Sequence, residues 1–124
     1  MPVRKIRIIA ADVEVTAELN DSATAELIWN ALPIEASGST WGDEIYFRTS
    51  IEDQERDSQE VVDMGDVAFW PPGQALCLFF GPTPMSRGDE IRPASAVNVV
   101  GKIEGDPTVL KSVPSGSRVL VEQL

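Results

Sequence analysis

Arg4-Lys5-Ile6-Arg7-Ile8-Ile9, followed shortly by Val13-Glu14-Val15-Thr16-Ala17-Glu18, decides the fold class. From Val3 to Ile9, basic residues alternate with β-branched ones. In the second stretch Val13, Val15 and Ala17 alternate with Glu14, Thr16 and Glu18. A period of two sends one set of side chains to a buried face and the other to water, so both stretches read as half-buried strands. Ala11-Asp12 between them suits a short hairpin turn.

Outward from this hairpin the pattern changes once. Asn20-Asp21-Ser22 supplies N-cap chemistry, and Ala23 to Leu32 follows at helical spacing, with Pro33 as the stop. Thr24, Leu27, Ile28, Ala31 and Leu32 are expected to form the buried stripe. Strand signals then resume. Ile34 to Ser39 can pair, Thr40-Trp41-Gly42-Asp43 makes a corner, and Glu44 to Thr49 alternates. There Ile45 and Phe47 share one face, and Tyr46 and Arg48 the other. Ile51 to Glu60 is acidic and poor in apolar residues, and reads as an exposed loop. Val61 to Trp70 holds two short strand pieces around a Gly65-Asp66 turn, and Pro71-Pro72-Gly73 is a strong break. Gln74 to Phe80 reads as a central strand, 81–90 as a long loop, and Ala94 to Ile103 as a strand. Asp106-Pro107 opens a capped helical turn through Lys111, and Arg118 to Val121 closes the chain as a strand. About eight short strands with Gly/Pro punctuation and one main helix indicate a mainly-β barrel or sandwich, one domain over residues 1–124.

Composition excludes several chemistries. The chain has no histidine and one cysteine, Cys77. That removes Ser-His-Asp and Cys-His catalysis, histidine-ligated zinc and any CxxC motif. Metal ions and cofactors are therefore not expected. Cys77, inside Ala75-Leu76-Cys77-Leu78-Phe79-Phe80, reads as a buried, inert thiol. A net charge of −10 repels phosphate backbones and anionic membranes, so neither nucleic acid nor a membrane is an expected partner. The apolar runs are too short to span a bilayer, and the basic N-terminal stretch lacks the apolar segment of a signal peptide. A cytoplasmic location is the expectation. Gly101-Lys102 lacks the spacing of a phosphate-binding loop, and Glu44 and Asp66 read as corner and turn residues.

Several phrases together resemble the cyclophilins in segment order: a helix followed by Thr40 to Arg48, then Met64-Gly65-Asp66-Val67, Leu78-Phe79-Phe80, and Val99 to Gly105 before a helical segment. The resemblance is closer still to a small prokaryotic family of cyclophilin-like domains of uncharacterised function. That family's recurring phrases stand here as Trp41–Phe47, Gly65–Val67, Trp70–Gly73 and Leu76–Gly81. The resemblance implies a closed eight-stranded barrel with a filled interior, one main helix and a short helical turn.

Cyclophilins are peptidyl-prolyl isomerases that hold an X-Pro peptide on the outside of the barrel. An arginine weakens amide resonance and so lowers a rotational barrier of about 18–20 kcal/mol. The resemblance carries that arginine onto Arg48, directly after Tyr46-Phe47. It points to Phe80, the second of the paired phenylalanines, for the apolar floor. Met85 is the bulky apolar candidate in the following loop. Asp63 stands where cyclophilins have a glutamine, and Asn98 or Val97 where they have a histidine. Most of the isomerase wall is thus replaced. Three readings follow. The first is a module binding a peptide or small ligand in an external groove floored by Phe80 and Met85 and flanked by Tyr46 and Arg48. The second is a weak prolyl isomerase. The third is an accessory subunit or homo-oligomer docking through its acidic surface, since such barrels also occur within larger carboxylase- or amidohydrolase-like enzymes. Trp41 and Trp70 read as seals at the barrel end, or as a stacking platform at a groove mouth.

Overall fold

A computed structural model describes residues 3–124; Met1 and Pro2, at the start of the basic N-terminal stretch, lie outside the described residues. The alternating hairpin forms as its sequence requires. β1 (Arg4–Ala10) and β2 (Val13–Leu19) pair in antiparallel register from Arg4↔Leu19 to Ala10↔Val13, with Ala11 at φ 54° in the two-residue turn. Ile6, Ile8, Val15 and Ala17 fall on the buried face.

Helix α1 (Ala23–Ala31) begins where Ser22 caps it: the Ser22 hydroxyl accepts from the Ala25 N–H at 3.1 Å. Its buried residues are Thr24, Ala25 and Ile28. Leu27, expected in the buried stripe, is 40% exposed. At about 100° per residue, the stripe from Thr24 through Ile28 takes Ala25 as its flank and turns Leu27 to water.

The remaining strands are β3 (Ile34–Ser37), β4 (Ser39–Thr40), β5 (Glu44–Arg48), β6 (Asp66–Trp70), β7 (Ala75–Phe79), β8 (Asn98–Ile103) and β9 (Arg118–Gln123). Single turns of 3₁₀ helix cover Pro71–Gly73, and a longer 3₁₀ segment Pro107–Ser112, with Asp106 accepting from the Thr108 N–H. All nine strands among the described residues join one antiparallel sheet, ordered β3-β9-β1-β2-β8-β6-β7-β5-β4. Its first and last members, β3 and β4, are separated in sequence by Gly38 alone. The sheet therefore curls round to meet itself as a nearly closed barrel.

Gly38 also explains why nine strands stand where eight were expected. Before it the chain pairs with β9, and after it with β5. A Cβ at position 38 would stand 2.9 Å from Val119 Cγ2 and 3.2 Å from Ile45 Cγ2, so only glycine fits the crossover. Two other expectations shift. Residues 61–64 make one isolated bridge, Val62↔Ile91, rather than a strand, and the Ala94–Ile103 strand begins at Asn98.

Two apolar clusters result. The larger fills the barrel and includes Ile45, Phe47, Val67, Phe69, Leu76, Leu78 and Phe80. The smaller lies on the opposite face of β6 and β7, where Ala68, Cys77 and Phe79 pack with Val62, Ile91 and Val97. Segments 59–62 and 91–97 cover this outer cluster through the bridges Gln59↔Val97 and Val62↔Ile91. The candidate site stands on this outer face.

Candidate functional site

Strand alternation on β5 sets the site's polar group. Ile45 and Phe47 point into the barrel, so Glu44, Tyr46 and Arg48 share the outer face. The Glu44 backbone is tied on one side to Phe79 in the ladder, and its carbonyl accepts from the Trp41 N–H at 2.9 Å. The corner that carries Trp41 is fixed by two further bonds. The Asp43 N–H donates to the Pro82 carbonyl, and the Phe80 N–H donates to the Asp43 carbonyl, both at 2.9 Å.

These placements enclose a cavity of about 260 Å3. Trp41, Tyr46 and Trp70 contribute rings to it, and Glu44, Cys77 and Val97 its buried part. Pro93 and the exposed Ala94 reach it from the 81–97 segment. The Trp70 indole is held by its N–H, which donates to the Ser95 hydroxyl at 2.6 Å. Pro71-Pro72-Gly73 folds back against the same ring; a Cβ at Gly73 would stand 2.5 Å from Trp70 Cζ3. The wall from 81 to 97 is likewise built. The Thr83 hydroxyl donates to the Arg92 carbonyl, the Thr83 N–H donates to the Ser86 hydroxyl at 2.9 Å, and the Arg92 N–H donates to that hydroxyl at 3.1 Å. Arg92 pairs with Glu90 at 3.1 Å.

Glu44 is the unusual group of this cavity. It is 5% exposed, and its Oε1 is buried with no hydrogen-bond partner. Desolvation lifts its pKa from the ordinary 4.5 to about 7, opposed slightly by the neighbouring Cys77 thiol. Burial in turn pushes Cys77 well above its ordinary 9, and the adjacent Glu44 carboxyl adds to this. The thiol is therefore protonated at neutral pH and, at 2% exposure, inert. A carboxyl with a midpoint near 7 exchanges a proton freely at neutral pH, and where it lines the cavity it can accept a hydrogen bond or face a cation.

The residues singled out from the sequence are not brought together. Tyr46 lines the cavity and is 37% exposed. Arg48 lies on the same face of β5, but its guanidinium donates to Gln74 Oε1 at 3.0 Å and lines no part of the cavity. Phe80 belongs to the barrel interior, and its neighbour Phe79 is the phenylalanine of the outer cluster. Met85 is 49% exposed and borders a separate hollow with Glu60 and Arg92. Asp63 borders a third, polar hollow with Glu18, Asp66 and Lys102, where Lys102 pairs with Asp66 at 3.4 Å.

Asn98 is buried and structurally committed. Its Oδ1 accepts from the Arg56 N–H at 2.9 Å, and its Nδ2 donates to the Gln54 carbonyl at 2.9 Å and to the Thr24 hydroxyl at 3.2 Å. The Thr24 hydroxyl donates to Asp53 at 2.6 Å, and Asp53 pairs with Arg56 at 2.8 Å. The acidic loop is thus exposed along most of its length, as its composition implies, yet anchored at Ile51 and Asp53.

Sequence reasoning passed over Glu44 as a corner residue. The alternation of 44–48, which groups Glu44 with Tyr46 and Arg48, was the available signal. Among the described residues no group of three or more histidine, cysteine, aspartate or glutamate side chains could hold a metal ion, and no helix is long and apolar enough to cross a membrane.

Comparison with known proteins agrees with this architecture. The family model described as "Cyclophilin-like" matches residues 4–122. The chain belongs to the cyclophilin-like family. It is similar to the hypothetical protein AF2241 from Archaeoglobus fulgidus, whose structure was determined in solution. The two share 46% sequence identity, with a TM-score of 0.83 over 98% of this chain and 95% of that one. No curated protein matches.

Proposed function

We propose that this domain is a binding module whose site is the outer-face cavity, taking a small ligand or a single side chain of an extended peptide between Trp41, Tyr46 and Trp70. One observation carries the reading: an apolar cavity with three aromatic residues in its wall has the Glu44 carboxyl as the single acidic group of its lining. Apolar walls with one orienting polar group are the usual make-up of a small-molecule site.

Catalysis is not needed to account for this site, since Arg48 is turned to Gln74 rather than to the cavity. A second reading, weak prolyl isomerisation, is favoured by one fact: Arg48 and Tyr46 share the outer face of β5. An extended peptide lying across that face would meet both.

Two of the chain's three tryptophans line the cavity, so intrinsic fluorescence reports its occupation. A panel of small amphiphiles and Ala-Pro peptides, titrated against wild type and Ala94→Phe, tests the reading. Ala94 is exposed at the cavity, so phenylalanine there fills the space without entering the core. Saturable quenching or enhancement that Ala94→Phe abolishes is the expected result. Binding that Ala94→Phe leaves intact would place the site elsewhere.

A further inference from the structure

Resting on that reading, the structure points to the class of ligand: we propose that the cavity takes a small organic cation, an ammonium head on a short apolar body, with the Glu44 carboxylate as counter-ion and the Trp41, Tyr46 and Trp70 rings around the head. Four classes of occupant can be weighed against the same residues. A purely apolar ligand fills the walls but leaves the Glu44 carboxyl in a drier cavity with no charge to face, which deepens its desolvation cost. An anion meets a carboxyl and no facing cation among the lining residues. A metal ion such as calcium requires six to eight oxygen ligands, and this cavity offers one carboxyl among rings and aliphatic groups. An organic cation satisfies both parts at once. Its charge faces Glu44, and its weakly hydrated methyl or methylene surface faces aromatic rings whose negative faces attract it. Choline-like and methylated ammonium groups are recognised in aromatic cages for this reason.

Size and long-range charge agree. At about 260 Å3 the space falls just below the roughly 300–1,000 Å3 of sites for drug-sized ligands, so the occupant is smaller than those. A net charge of −10 concentrates cations around the whole domain.

The titratable groups lining the cavity with Glu44 are Tyr46 on its own strand and Cys77 on β7; Val97, Pro93, Ala94, Trp41 and Trp70 bring none. Asp43, next in the chain, faces Lys111 at 3.8 Å. Burial holds the Glu44 midpoint near 7, so the carboxyl is mostly protonated at pH 6 and mostly ionised at pH 8. A cation binds the ionised form, so its affinity rises about tenfold across that interval and binding releases a proton.

Choline, tetramethylammonium and 3,3-dimethylbutan-1-ol, the uncharged shape analogue of choline, are titrated by tryptophan fluorescence at pH 6 and pH 8. A short peptide bearing trimethyllysine forms a further arm, and tighter binding of that peptide than of choline assigns the cation to a side chain rather than a free metabolite. The expected result is choline binding that strengthens about tenfold from pH 6 to pH 8 and exceeds that of the alcohol at pH 8. Glu44→Gln is expected to bring choline down to the level of the alcohol and to remove the pH dependence. If the alcohol binds as well as choline at both pH values, the cation assignment is overturned while the cavity remains a binding site. If neither the cations nor the alcohol changes the fluorescence, and the wider panel is equally silent, the binding reading falls with it.

Discussion

Gly73 lies against the benzo edge of the Trp70 indole, so closely that a Cβ would stand 2.5 Å from Cζ3 and 2.6 Å from Cε3. This contact gives the phrase Trp70-Pro71-Pro72-Gly73 its physical meaning. The two prolines set a single helical turn, Gln74 leaves it in the left-handed conformation at φ 51°, and the bare Gly73 lets the turn close against the ring edge. The ring is then fixed at its other end by Ser95. Gly73→Ala is expected to push the indole out of place, costing about 1–3 kcal/mol as an overpacked contact. Ser95→Ala is expected to loosen the ring with a smaller loss. Urea denaturation reads the first effect and a shifted tryptophan emission maximum both. A Gly73→Ala variant with unchanged stability and emission would show that the ring and turn are not packed as described.

The buried Glu44 carboxyl imposes a pH dependence whose sign is fixed. Its midpoint is raised from 4.5 in the unfolded chain to about 7 in the folded one. Below 4.5 both states hold the proton and burial costs no charge. As pH climbs from 4.5 to 7 the folded state holds more protons than the unfolded state, so stability falls; above 7 the loss is complete, about 3 kcal/mol at most. Glu44→Gln removes the charge and keeps the shape. The stability difference between Glu44→Gln and wild type is therefore expected to grow in favour of the variant between pH 5 and pH 8. Urea midpoints at these two values check it, and a difference that does not change with pH would mean that Glu44 titrates as an ordinary surface acid.

Cys77 shares that cavity without being a nucleophile. Burial and the adjacent Glu44 both hold the thiol protonated. Labelling by a thiol reagent at pH 7.5 is expected only as fast as the chain unfolds, rising steeply with denaturant. Rapid labelling of the native protein would contradict the assignment of an inert, buried thiol.

Asn98 ties three segments together: the acidic loop, α1 and β8. Replacement by alanine strands the Arg56 N–H, the Gln54 carbonyl and part of the Thr24–Asp53 network, with an expected cost of about 3 kcal/mol. Hydrogen exchange should show the same change locally, with 53–56 losing protection before the barrel does. If ligand affinity fell while stability and exchange stayed as in wild type, Asn98 would belong to a binding surface instead.

Prolyl isomerisation can be separated from binding by one comparison. On an Ala-Pro test peptide, catalysis above background that disappears with Arg48→Ala would bring the second reading forward and place peptide chemistry on the Arg48 side of β5. The binding account expects the two rates to coincide with the uncatalysed one.

Much of the fold is legible because its signals are local. Alternation in 4–10 and 13–19 sets the first hairpin, Ser22 sets the helix start, and Asp106-Pro107 sets the late 3₁₀ segment. Less local features escape. Gly38 splits a strand only because Val119 and Ile45, far apart in the chain, close in on it. Leu27 looked apolar enough to be buried, but the barrel meets the helix one residue position away.

The site is harder to read for the same reason. Its residues come from a corner at 41, from β5, β6 and β7, and from a segment at 93–97, with only Pro93 and Ala94 adjacent in sequence. The paired phenylalanines show both sides of this. Alternation separates Phe79 from Phe80, but which of them faces outward depends on the register of β7 against β5, where Phe79 pairs with Glu44. Position 44 carried its signal openly, as a carboxyl in step with Tyr46. Its burial depends on residues remote in sequence that line the same cavity, among them Trp70, Cys77 and Val97.

The most direct test of the cavity as the binding site uses the indole N–H resonances of Trp29, Trp41 and Trp70, assigned by single Trp→Phe variants. Spectra are recorded with choline, its uncharged analogue and an Ala-Pro peptide in turn. Trp29 packs beside the barrel core on α1, away from the cavity, and serves as the internal control. The account predicts that Trp41 and Trp70 shift together with at least one of these ligands while Trp29 stays still. Movement of Trp29 alone, or stillness of all three with every ligand, would contradict it.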